Sequence, residues 1–338
     1  MRKIKELHMR STLLPLLLVL SACNGGDTCS LVPQWKATIG GTVPGTLRGA
    51  PDGSVVAVGD VGQEDSLVRV SPTGEIVTVA VAGTRGGMLA LDDSGAPVVS
   101  WQMPPRVAGY DYAFREKWSV PTFSWTYTSF DAGPNGEAAF AFDGPDQTQS
   151  IVYMDATGSQ RWRLNGLPGS TQVDSTDGHV NAMRIAANGD VFGFGDVRRR
   201  RFAAATGAVT EDLRIGDPAN FDGSFNWPRD ILVERDGGWV AIADGEQSSV
   251  ARYDVMLTVR ELWNRPLMTT TSSPIVSTNG DVLAITAIGT QVIRLDGATG
   301  ETRSENCIPG PSLPELIYAD STGYLLHQGE DIERYAQP

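Results

Sequence analysis

Followed for its alternation of apolar and polar positions, the chain returns repeatedly to one phrase: a turn of Asp, Asn or Ser with Gly, then a short apolar strand. The phrase reads PDGSVVAVGD at Pro51, DDSGAPVVSW at Asp92, PNGEAAFAFD at Pro134, ANGDVFGFGD at Ala187, RDGGWVAIAD at Arg235, TNGDVLAITA at Thr278 and DSTGYLLHQG at Asp320. Its turn glycines, Gly53, Gly95, Gly136, Gly189, Gly238, Gly280 and Gly323, fall 41 to 53 residues apart. A turn that needs positive φ explains each glycine, and the alternation after it explains a strand. Periods of this length predict sheet-like blades stacked around a ring.

A second phrase follows the first by about twenty residues: an apolar strand, a Thr-Gly turn, then often a Trp. It appears as LVRVSPTGEI from Leu67, IVYMDATGSQRW from Ile151, RFAAATGAV from Arg201 and VIRLDGATGET from Val292. The second and fifth units keep strands and Trp118 or Trp263 without the Thr-Gly. Two hairpins per unit make one four-stranded blade. The last unit ends at DIERYAQP, a third strand, and the missing fourth is found in LVPQWKATIGG, where Trp35 stands as Trp118, Trp162 and Trp263 do elsewhere. The expectation is an all-β, seven-bladed β-propeller of four-stranded antiparallel blades, spanning residues 31–338, with its last blade closed by an N-terminal outer strand that removes the open edge.

From Ile151 to Trp162 and from Val292 to Thr302 the chain resembles the PQQ-like repeats of bacterial quinoprotein-type propellers, in which Asp, Thr-Gly and Trp dock neighbouring blades. The stretch from Trp227 to Asp254 resembles an NHL-type repeat. The repeat to which these stretches belong spans nearly all of residues 31–338, but such motifs specify architecture rather than activity. The cofactor cage of true PQQ dehydrogenases, which usually includes an adjacent Cys pair, has no counterpart, so no cofactor is expected.

The first 22 residues read as an export signal. Arg2, Lys3, Lys5 and Arg10 precede the short apolar run Leu13–Leu20, too short to span a bilayer. Leu20-Ser21-Ala22-Cys23 resembles the lipobox of bacterial lipoproteins, which implies lipidation at Cys23; an ordinary cleaved signal is the competing reading. Met9 offers a second start, since a complete signal follows it. Asn24 lacks the Asp of the inner-membrane retention pattern, so the resemblance favours the outer membrane of a Gram-negative envelope. Residues 23–30 form a short lipidated tether.

Formal net charge is −13, and removing the basic signal deepens it. That balance argues against nucleic acid, and leaves the lipid as the expected membrane contact, since both nucleic acid and anionic lipid need a basic face. Beyond Cys23 the chain has Cys29 and Cys307, a candidate disulfide pair in an oxidising compartment.

Arg69, Arg201, Arg252, Arg294 and Arg334 recur at one third-strand position, which reads as a packing element with the stem laid on a neighbour. Departures from the repeat are better binding candidates. The longest connections enter the fourth and fifth blades, at residues 165–181 and 215–230, and a turn holding Arg198, Arg199 and Arg200 is expected at the same end. The candidate ligand or partner patch is therefore Asp174, His179, Arg198, Arg199, Phe221, Phe225, Trp227 and Arg229. No catalytic residue and no metal ligand set stands out: beyond the signal only His179 and His327 remain, and Cys-x-x-Cys, G-x-S-x-G and phosphate-loop motifs are missing. The expected function is a monomeric, lipid-anchored, non-catalytic binding or assembly propeller of the cell envelope, presenting loops of the third to fifth blades to a protein or glycan. Its rivals are a periplasmic, metal-dependent hydrolase or lyase on a propeller, and an outer-membrane assembly factor.

Overall fold

The computed structural model describes residues 32–39, 42–61, 64–81, 87–122, 127–143, 149–166, 180, 182–195, 198–214, 228–234, 236, 238–243, 249–254, 260–267, 274–286, 291–308 and 314–336. Among these, every regular element is a strand. β1 (Trp35–Thr38) immediately precedes in sequence, but does not join, the first complete blade, which holds β2 (Thr42–Gly49), β3 (Val55–Val61), β4 (Glu64–Val70) and β5 (Ile76–Ala80). Blade two holds β6 (Leu89–Leu91), β7 (Pro97–Gln102), β8 (Pro105–Tyr110) and β9 (Glu116–Pro121), and blade three β10 (Tyr127–Ala132), β11 (Ala138–Asp143), β12 (Gln149–Met154) and β13 (Gln160–Asn165). Blade four holds β14 (Ala182–Ile185), β15 (Val191–Phe194), β16 (Arg198–Phe202) and β17 (Val209–Arg214), and blade five β18 (Pro228–Val233), β19 (Trp239–Ala243), β20 (Ser249–Asp254) and β21 (Arg260–Pro266). Blade six holds β22 (Ile275–Val276), β23 (Val282–Thr286), β24 (Gln291–Leu295) and β25 (Thr302–Cys307), and blade seven β26 (Glu315–Ala319), β27 (Gly323–Gln328) and β28 (Asp331–Ala336).

The result is a seven-bladed β-propeller of antiparallel four-stranded sheets. Blade seven has the order β1-β28-β27-β26, so its outer strand comes from the N-terminal side of the chain. Trp35 pairs with Arg334 and Thr38 with Asp331, and Lys36 reaches Asp331 at 2.7 Å across that seam. The closure read from the two half-units is what the structure contains, and it covers the edge of β28.

Blades are held together by residues that the repeat keeps. Trp162 of β13 lies over Gly207 in the next blade's Thr-Gly turn and donates its Nε1 hydrogen to Ala204 O at 3.0 Å. A Cβ on Gly207, whose φ is +69°, would sit 2.7 Å from that indole, so glycine is required there twice over. Trp263 does the same to Gly300, Trp118 lies against Gly158, and Trp35 lies against Gly74 with its Nε1 bonded to Pro72 O at 2.8 Å. Each Trp in an outer strand therefore meets a Thr-Gly turn in the following blade. Blades two and five, which lack that turn, follow the blades whose outer strands β5 and β17 lack a Trp.

The recurrent arginines are clasps, as their periodicity predicts. Arg69 reaches Ser54 Oγ in its own blade and Gly95 O in the next. Arg252 pairs with Glu234 and donates to Gly280 O at 3.0 Å, and Arg294 pairs with Asp281 at 2.7 Å and donates to Asp320 O. Arg201 and Arg334 hold the turn acids Asp190 and Asp320. Arg294 and Asp281 are both buried, and Arg303 also reaches Asp281 at 3.2 Å, so losing Asp281 would remove the carboxylate that offsets Arg294 in the interior.

One expectation about the turns needs correction. Gly53, Gly95, Gly136, Gly189 and Gly280 have positive φ, but Gly238 and Gly323 do not. Gly323 opens β27 instead, and a Cβ there would sit 2.1 Å from Tyr335 O: close backbone approach, not turn handedness, demands it.

Candidate functional site

The inner strands of the blades surround the axis, and successive ones touch, as β2 touches β6 and β10 touches β14. Aligning the repeats on their turn glycines shows what each inner strand presents there. Five residues before the glycine stand Arg48, Ala90, Asp131, Arg184, Val233, Ile275 and Tyr318. The first four of these line one cavity of about 140 Å³ at the ends of the inner strands of blades one to four. Asp92 and Asp93 of the second blade's turn, with Phe130, complete much of its wall.

The charges in this cavity are unevenly satisfied. Asp131 accepts a hydrogen bond from Arg184 at 3.0 Å and another from the Ile185 amide at 2.7 Å. Asp92 is buried and closes its own turn, accepting from Ser94 and from the Ala96 amide. Arg48 differs: its hydrogen bond among the described residues goes to the Leu47 carbonyl, at 2.7 Å, and no carboxylate pairs with it. Burial pulls the Arg48 pKa below the ordinary guanidinium value, Glu315 and Asp131 push it up, and the like charge of Arg184 lowers it further. A guanidinium is still protonated under those pressures, so Arg48 offers unspent donors and a positive charge to the cavity. Arg184 adds a second guanidinium whose buried Nε lacks a partner. What this arrangement can do chemically is bind: it suits a carboxylate or similar small anion through bidentate, charge-assisted hydrogen bonds. Among the described residues the lining includes no His, Cys, Ser or Lys.

The patch expected from the sequence fares differently residue by residue. Asp174, His179, Phe221, Phe225 and Trp227 lie outside the described residues, as do Cys23 and Cys29. Arg229 lies in β18. The expected turn holding Arg198 and Arg199 is a strand, β16, and this corrects the reading. Four successive arginines look like solvent-exposed charge, yet β17 lays Glu211 and Asp212 opposite them. Arg199 is fully buried, pairs with Glu211 at 2.5 Å, and lies 5.0 Å from the Phe192 ring centre and 5.9 Å from that of Trp239. Burial lowers its pKa and Glu211 opposes that shift. It is an interior cation of the joint between blades four and five, not a surface ligand. Arg198, partly exposed, pairs with Asp212 at 3.1 Å. Cys307 ends β25 and is disulfide-bonded; no other cysteine is among the described residues.

Sequence reasoning passed over Arg48, Asp131 and Arg184. The signal was present: they share one repeat position where other blades carry apolar or aromatic side chains.

No protein-family model matches the chain, and no curated protein is similar to it in sequence. Solved structures are similar in fold. The β-propeller domain of Cps50 (Swd1) from Myceliophteria thermophila matches with a TM-score of 0.65 at 12% identity, over 89% of this chain and 98% of that one. Virginiamycin B lyase from Staphylococcus aureus gives 0.63 at 13% identity, over 90% and 99%. BamB from Moraxella catarrhalis gives 0.50 at 18% identity, over 88% and 83%. At these identities the likeness is one of fold, and it joins proteins of different activities.

Proposed function

We propose that the chain is a lipid-anchored, non-catalytic binding propeller of the bacterial cell envelope, held by diacylglycerol on Cys23, whose axial cavity takes an anionic group of its ligand. The observation that carries the reading is Arg48, a half-buried cation without a carboxylate partner among the described residues, in a chain of net charge −13. Such a group costs free energy to desolvate, and a bound anion would return it. The third-strand arginines are engaged in docking blades, so they are poor candidates for the same task. An acidic sugar and an acidic peptide share the chemistry required, which fits a glycan or a protein partner. The export signal and the Leu20–Cys23 segment support the anchor, and pairing of Cys307 with Cys29 would tie the tether to blade six.

The test titrates the protein with glucuronate and with a short Asp/Glu peptide, reading heat or fluorescence. Saturable binding of one probe, weakened about tenfold or more in Arg48→Met, is expected from the loss of a charge-assisted pair. Equal binding by the variant, or none by wild type, removes the cavity from the proposal. Palmitate labelling that persists in Cys23→Ala removes the anchor. Stoichiometric Ca²⁺ or Zn²⁺ retained through dialysis would replace the binding reading with the metal-dependent hydrolase or lyase.

A further inference from the structure

Among the described residues, every blade ends in an outer strand whose far side has no neighbour within its sheet. Such edges invite strand addition, and proteins protect them with charge, Pro or irregular pairing. Six of the seven outer strands carry charged residues: Lys36 in β1, Glu116 and Lys117 in β9, Arg161 and Arg163 in β13, Glu211 and Asp212 in β17, Glu261 and Arg265 in β21, and Arg303 and Glu305 in β25. The register of β9, β13, β17, β21 and β25 against the adjacent strand is also broken by a bulge or irregularity. β5 has neither protection. Its sequence is Ile76-Val77-Thr78-Val79-Ala80, and it pairs with β4 in unbroken register.

This edge is also exposed. Val77 is 57% and Ile76 44% accessible, two large apolar side chains adjacent on one strand. At the hairpin mouth the Ser71 amide bonds to Glu75 O at 2.8 Å. Alternation from there turns Val77 and Val79 toward β4, and points the N–H and C=O groups of Ile76, Thr78 and Ala80 outward.

We propose that β5 accepts, by antiparallel or parallel strand addition, an extended segment of a partner protein that is apolar and β-branched at its centre and basic at its flanks. Charge complementarity selects that occupant over a second copy of this chain: two copies would bring together bodies of net charge −13 each, and a five-residue seam offers little area to hold them. The proposal deepens the binding reading by naming a kind of partner, and it uses neither the lipid nor the axial cavity.

The probe is a synthetic nonapeptide of alternating Val and Thr with two Lys at each end, added to the full chain. Binding should slow hydrogen exchange at the outward amides of Ile76, Thr78 and Ala80 by about tenfold or more. Thr78→Pro removes an outward donor while sparing the ladder to β4, and should abolish that slowing. If Thr78→Pro proves unfolded by circular dichroism, Val77→Lys takes its place, since a charged edge resists addition without losing a backbone bond. Unchanged exchange with peptide, or slowing that persists in the folded edge variant, overturns the proposal. Slowing without peptide that tracks dimer formation in sedimentation overturns it in favour of a second copy. Arg48→Met leaves the peptide result unchanged, so either idea can fail alone.

Discussion

The joint between blades three and four and the joint between blades one and two solve one problem by opposite means. In the first, the aromatic belongs to the earlier blade: Trp162 stacks on Tyr153, with ring centres 5.3 Å apart, and covers the glycine of the next blade's turn. In the second, β5 supplies no aromatic, and the later blade's turn brings its own. Tyr112 lies 3.7 Å from the Arg69 guanidinium and Phe114 lies 5.1 Å from it. Phe114 takes φ of +64°, the conformation glycine holds in the Thr-Gly turns, and is nonetheless buried. A joint thus needs an aromatic plate over a turn, and does not specify which blade provides it. At the joint between blades four and five the aromatic again belongs to the later blade, but to a strand: Trp239 of β19 is stacked on Tyr253 with Arg199 close to its ring. The turn glycine and the outer-strand Trp therefore travel together: without an indole to admit, the turn has no need of a bare Cα.

The comparison can be broken at a third joint, where the chain ends meet. Deleting residues 31–41 removes both the outer strand of blade seven and Trp35, and is expected to lower the melting temperature by more than about 10 °C in calorimetry. A truncated chain that melts with the intact one would show that closure contributes little. A smaller loss separates the two manners of docking. Trp162→Ala should cost about 3 kcal/mol in denaturant unfolding, because a ring only 7% exposed leaves a cavity the turn cannot fill. The same change at the half-buried Trp35 should cost less, and equal losses would mean that burial does not set the contribution. Smallest is Tyr112→Ala, expected at about 1 kcal/mol, since an exposed ring over a cation contributes modestly. A loss matching that of Trp162→Ala would make the two joints equivalent in strength as well as in plan.

Much of this was legible in the residues. Turn glycines and Thr-Gly dipeptides act locally, so their spacing gave the blade count, and the two incomplete units gave the closure that places Trp35 beside Arg334. The arginine run at 198–201 was misread for a physical reason: polarity argued for a turn, but the acids that neutralise it arrive on the following strand, and the aromatics Phe192 and Trp239 come from two blades.

The sequence by itself determined the number of blades, their hairpins and the role of the recurrent Trp and Arg, because each depends on neighbours one repeat away. Only the tertiary structure decided that Arg48, Asp131 and Arg184, from three different blades, share one cavity, and that Arg199 lies inside while β5 stands bare. Burial and electrostatic partnership are set by which side chains the closed ring brings together across the chain, and local pattern carries no record of that.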